Sequence, residues 1–147
     1  MNKSWTIAAL LILAAAFLLP NLINGFGTNQ ASMHSANVTE ITDATFEAEV
    51  MNHDGPVIVE AYATWCGPCK SFKPKYNRAA DNNHQKAKFV TFDVDKNPGI
   101  AGKLGVTGIP LTVCVKGTGE DRMVNGVLRG DGSYSRIENL VEACAKP

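Results

Sequence analysis

Cys66 and Cys69 stand three residues apart in the block Trp65-Cys66-Gly67-Pro68-Cys69-Lys70. On a helix, residues i and i+3 share a face with their Cβ atoms about 5–6 Å apart, within the span of a disulfide. The block lies where an apolar run over residues 57–63 gives way to helical spacing, so Cys66 falls at a helix N-terminus. Unpaired N–H groups and the helix dipole stabilise a thiolate there, and such positions lower a cysteine pKa into roughly the 3.5–7.5 range. Pro68 is tolerated in the first turn because its missing N–H would have had no partner. The pair can therefore alternate between dithiol and disulfide with little backbone movement. A zinc site would need two further ligands, and Cys114 and Cys144 form no second pair in sequence. A purely structural disulfide is the other reading, and the Gly-Pro filler at a helix start argues against it.

The remaining composition narrows the chemistry. Three scattered histidines (His34, His53, His84) make no metal cluster, and no metal or organic cofactor is expected. Fourteen Lys plus Arg balance 14 Asp plus Glu with no basic stripe, which excludes a nucleic-acid partner bound through its phosphates. With 147 residues, 45% hydrophobic and 19% charged, the chain has room for one globular domain, expected to act as a monomer.

Charge is absent from the N-terminal part except at Lys3, until Glu40. Residues 5–19 are almost wholly apolar, with Thr6 the one polar side chain, so the run lacks the polar face of a surface helix. Residues 1–26 are expected to be a signal peptide or an N-terminal membrane anchor. Pro20 fits the end of a signal segment, whereas no clean A-x-A cleavage site follows. Either form places the remainder outside the cytoplasm, periplasmic or secreted, with membrane contact through residues 5–26 if the segment is retained. Residues 27–37, polar and small, have the composition of a flexible linker. The domain is expected over residues 38–147.

Within it, Thr42 is placed to cap a helix from Asp43 with Phe46, Val50 and Met51 on its apolar face. Strands are expected over 57–63, 88–94, 111–116 and 123–128, the last two joined by a Gly-rich turn into an antiparallel hairpin. A short strand before Thr42 is also admitted. Helices are expected over 66–82, interrupted at Pro74, over 98–104, and over 131–145 with Ile137, Leu140, Val141 and Cys144 on one face. The order implies an α/β fold, a mixed central sheet flanked by helices on both faces. Cys114 and Cys144 read as buried free thiols, or as a pair bonded to each other in an oxidising compartment.

The Trp-Cys-Gly-Pro-Cys-Lys block, the preceding residues 57–64, the later segment 93–110 containing Gly108-Ile109-Pro110, and the final hairpin and helix resemble the thioredoxin family. The resemblance implies a thioredoxin-like fold and assigns roles to single residues. Cys66 matches the attacking cysteine and Cys69 the resolving cysteine of the redox disulfide. Pro110 matches a cis-proline that, with Ile109, aligns a substrate strand. Trp65, Gly67 and Pro68 belong to the substrate-facing rim, and Gly130 matches a glycine lining the substrate groove. Glu60 lies where the family places a buried aspartate that handles the proton of the resolving cysteine. Three residues depart from the pattern. Glu60 is one methylene longer than aspartate, Thr91 stands in place of the lysine that pairs with the carboxylate, and Tyr62 replaces a tryptophan. A carboxyl in an apolar central strand is desolvated, so its pKa should rise. Thr91 offers no cation to oppose this, and Glu60 should stay protonated toward neutral pH. The alternative position for Glu60 is an exposed edge strand.

The resemblance implies a protein-disulfide reductase, re-reduced outside the cytoplasm by a membrane or extracytoplasmic thiol partner. Running the exchange the other way, as an oxidase or isomerase, is the alternative, and a non-catalytic binding module a further one.

Overall fold

The computed structural model describes residues 35–117 and 121–147. The segment expected to be a signal or anchor, and linker residues 27–34, lie outside them. No helix among the described residues is long and apolar enough to cross a membrane.

The elements run β1 (Val38–Glu40), α1 (Glu47–Met51), β2 (Val57–Tyr62), α2 (Gly67–Asn83), β3 (Lys88–Asp93), α3 (Pro98–Lys103), β4 (Leu111–Lys116), β5 (Met123–Arg129) and α4 (Tyr134–Ala145). They build one sheet in the order β1-β3-β2-β4-β5. β1 and β2 run parallel to β3, whereas β4 is antiparallel to β2 and β5 to β4. This is the expected mixed sheet. β2 lies at its centre, so its residues are covered on both faces, which accounts for their continuous apolar run. Val57, Val59 and Ala61 face α1 and α3 with Phe46, Val50, Phe92 and Ile100. Ile58 faces α2 and α4 with Phe72, Tyr76, Ile137 and Val141.

Two local expectations are corrected. The first helix is a single π-helical turn over Glu47–Met51, entered through a turn, and the Thr42 side chain does not cap it. Thr45 Oγ1 instead accepts the Thr42 N–H at 2.9 Å. Asp43, expected to open that helix, reaches α3, accepting the Gly99 N–H on Oδ2 (3.0 Å) and the Ile100 N–H on Oδ1 (2.8 Å). Long-range pairing of this kind leaves no mark on local periodicity.

The second correction concerns the two outlying cysteines. Cys114 of β4 and Cys144 of α4 are not free thiols; they form a buried disulfide with a Cα–Cα distance of 6.0 Å. Gly126 of β5, in register with Cys114, helps admit the helix. A Cβ at Gly126 would fall 2.7 Å from Leu140 Cδ1 of α4.

The N-terminal entry is fixed to the far end of α2. Ser35 Oγ donates to Asp81 Oδ1 at 2.5 Å, and Asn37 Nδ2 donates to the same oxygen at 3.0 Å.

Candidate active site

β2 ends at Tyr62, and the chain turns through Ala63, Thr64 and Trp65 into α2. Cys66 is the N-cap residue, in extended conformation, and its Sγ accepts the Cys69 N–H at 3.1 Å. A sulfur held against an N–H of the first turn occupies the position where a helix stabilises negative charge. Cys66 and Cys69 form a disulfide with a Cα–Cα distance of 5.3 Å. Gly67 and Pro68 are exposed in the first turn, and α2 continues through Pro74. Tyr76, fully buried, holds α2 to the sheet. Its hydroxyl lies 2.8 Å from the carbonyl oxygens of both Ile58 and Val90.

Trp65 is 68% exposed, so it is a surface platform rather than a core residue. Its indole N–H donates to Asp95 Oδ2 at 2.7 Å, an orienting partner that no local pattern in the chain singles out.

The Ile109–Pro110 peptide bond is cis, as expected. Ile109 packs against the cluster of Ala63, Cys66 and Cys69, and its backbone makes no hydrogen bond among the described residues. Gly130, at φ +74°, donates its N–H to the Pro110 carbonyl at 2.9 Å, extending the β4–β5 pairing to the edge of the site. A side chain is disfavoured at that backbone conformation. Residues 107–110, Arg129 and Gly130 line a groove of about 220 Å³.

Glu60 sits in the central strand with 1% of its surface exposed, which removes the edge-strand alternative. Thr91 and Thr112 flank it in register on β3 and β4. Thr91 Oγ1 donates to Glu60 Oε2 at 3.0 Å, while Thr112 Oγ1 is buried with no hydrogen-bond partner among the described residues. Burial pushes the Glu60 pKa up to about 7, opposed first by the positive charge of Lys73 and then by the Thr91 hydrogen bond. Lys73 is thus a cation that the sequence reading missed. The signal was present in its i, i+4 spacing from Cys69 on the same helix face. Glu60, Cys69 and Lys73 line one pocket of about 180 Å³, giving the carboxyl and the Cys69 sulfur a common space. Among the described residues no group of three or more His, Cys, Asp or Glu could hold a metal ion.

This placement makes Glu60→Gln informative. The folded protein holds the Glu60 proton to about pH 7, whereas an unperturbed glutamate releases it near 4.5. Wild-type stability should therefore fall as pH rises through that window, and Glu60→Gln should flatten the fall. The same change should slow attack by Cys69 by roughly tenfold near neutral pH, below the roughly 10²–10⁴-fold typical of a general acid–base group because water can enter the pocket. Urea melts across the pH range and stopped-flow rates for both exchange steps check this. Coincident profiles would make Glu60 a bystander.

A family model described as thioredoxin matches residues 37–139. The thioredoxin of Pseudomonas aeruginosa is 39% identical over 109 residues, which is 74% of this chain and 97% of that protein. Thioredoxin 1 of Nostoc is 37% identical over 89 residues, covering 60% of this chain and 83% of its own length. The thioredoxin of Chlorobaculum thiosulfatiphilum is 40% identical over 78 residues, or 53% of this chain and 72% of its own. Matched in sequence across the sheet, the redox helix and the cis-proline, the chain belongs to the thioredoxin family of thiol-disulfide oxidoreductases, with Cys66 and Cys69 as its redox-active pair.

Proposed function

We propose that the protein reduces protein disulfides outside the cytoplasm, as a monomer. The observation that carries the chemistry is Cys66 Sγ at the start of α2, accepting the Cys69 N–H. In the dithiol form, the Cys66 thiolate attacks a substrate disulfide, forming a mixed disulfide and releasing one substrate thiolate. Cys69 then passes its proton to the Glu60 carboxylate and attacks Cys66 Sγ, releasing the second substrate sulfur as a thiolate, which takes a proton from solvent, and closing the enzyme disulfide. Two electrons pass to the substrate. The unpaired Ile109 backbone receives the substrate as an added strand beside the sulfurs, with Trp65, Gly67, Pro68, Pro110 and Gly130 forming the surface around it.

The compartment rests on two features. Residues 5–19 form an export-type apolar run. The buried Cys114–Cys144 disulfide adds a second bridge of the kind that persists in oxidising surroundings. A membrane or extracytoplasmic thiol carrier then returns electrons to Cys66–Cys69, and residues 5–26 hold the protein at the membrane if they are retained.

Equilibration of the Cys66–Cys69 couple against glutathione tests the direction. A potential near the reducing end of the family, about −270 mV, supports reduction, and one near the oxidising end, about −120 mV, overturns it. A reporter fused after Pro147 tests the compartment, because it should be active only after export.

A further inference from the structure

The two pockets beside the disulfide are both lined by cations, and the one carboxyl among their lining residues is that of the buried Glu60. On the α2 side, Lys70 and Lys73 border the pocket that reaches Cys69. The Lys70 ammonium has no hydrogen bond or ion pair among the described residues, and the Lys73 ammonium lies over the Tyr62 ring, 5.3 Å from its centroid. On the other side Arg129 borders the groove of Ile109 and Pro110. Its guanidinium is exposed and likewise has no hydrogen bond or ion pair among the described residues.

Of the acids nearby, Asp131 and Asp93 are paired with cations, Glu60 is buried, and Asp95 is bonded to a neutral donor. Asp95 accepts the Trp65 indole N–H, and Asp131, next to Gly130, is paired with Lys75 at 2.6 Å. Asp93 is buried, with Lys96 at 3.6 Å, and Glu60 is buried with the Thr91 hydroxyl on it. Around the sulfurs Lys70, Lys73 and Arg129 thus stand against Asp95, the one exposed carboxylate there without a cation partner among the described residues, an excess of positive charge on a chain whose formal charge is zero.

We infer that the preferred substrates carry acidic residues on either side of the cystine, and that Arg129 is the specificity-determining side chain on the cis-proline flank. The inference rests on the reductase reading above and adds the substrate class to it. A strand laid along Ile109 advances about 3.3 Å per residue, so side chains within two or three positions of the attacked cysteine lie over the two pockets. Each exposed charge pair contributes little alone. Several of one sign facing one short peptide add together, chiefly by accelerating encounter, and salt screens them.

The test uses three cystine-bridged peptides that differ only in having Glu, Gln or Lys on both sides of the cysteines. Pre-reduced protein is mixed with each in a single turnover. Two electrons pass from the Cys66–Cys69 dithiol to the peptide disulfide, leaving an enzyme disulfide and two peptide thiols, so no further reductant is needed. Each rate is divided by that of dithiothreitol with the same peptide, which removes the peptide's own reactivity. The Glu peptide should then exceed the Lys peptide by roughly tenfold at low ionic strength, the ratio closing to about twofold at 1 M salt. Arg129→Glu should cut the low-salt ratio at least about threefold while Arg129→Lys preserves it. Because the readout is a ratio, a general loss of activity in either variant cancels. Equal normalised rates for the three peptides overturn the inference and leave the reductase reading standing, whereas failure to reduce any of them overturns both. A ratio undiminished in Arg129→Glu removes Arg129 from the role.

Discussion

Cys66→Ser is expected to leave no measurable reduction of insulin disulfides, a fall of at least about 10³-fold toward uncatalysed exchange. Cys66 alone among the four cysteines sits at a helix start with its sulfur against a first-turn N–H. Cys69 lies within α2, and Cys114 and Cys144 are bonded to each other and buried. Cys69→Ser should lose turnover as completely but by a different route, since attack survives and resolution does not. Mixed disulfides with substrate should accumulate on Cys66, visible as reductant-sensitive adducts by mass spectrometry. Adducts on Cys69 in the Cys66→Ser protein, with none in the reverse case, would exchange the two roles.

Removing the second bridge should cost stability rather than chemistry. The Cys114–Cys144 bond spans 30 residues, for which restricting the unfolded chain is worth about 3–4 kcal/mol. With a urea dependence of roughly 1–3 kcal/mol per molar, the unfolding midpoint of Cys114→Ala/Cys144→Ala should drop by more than about 1 M. Either single substitution should lose nearly as much, because one partner already breaks the bond. Reductant should lower the wild-type midpoint by more than the variant's, because it opens Cys66–Cys69 in both but Cys114–Cys144 in the wild type alone. Superposed melts would mean that β4 and α4 are held by packing alone.

The sheet and the redox helix were legible because their causes are local. The apolar runs of β2 and β4 and the spacing along α4 each follow from which faces are buried, and the motif at Cys66 carries its own helix start. What escaped the sequence was pairing across distance. Asp43 serves α3, 56 residues away, rather than its own turn. Asp95 orients Trp65 from the loop after β3, 30 residues on. The buried position of Glu60 and the direction of its titration followed from its strand, yet Lys73 was overlooked as the countercharge. Thr91 had drawn attention to the neighbouring strand, and the compensating cation came from the helix above. For Cys114 and Cys144 the sequence supplied both the strand and the helix face but not their distance apart. That distance depends on how closely α4 approaches the sheet over Gly126.

The hydrogen bonds from Ser35 and Asn37 to Asp81 bear on how the protein can be handled. Asp81 lies 12 residues after Cys69 along α2, which at 1.5 Å per residue is about 18 Å of helix. Ser35 and Asn37 therefore lie against the heel of the redox helix rather than its reactive tip. Coupling the domain to a bead or an electrode through an engineered thiol at Ser35 should therefore keep the linker at the opposite end of α2 from the disulfide. Coupling through an engineered thiol beside Thr107 or Gly130 would seat the linker in the groove of Ile109 and Pro110.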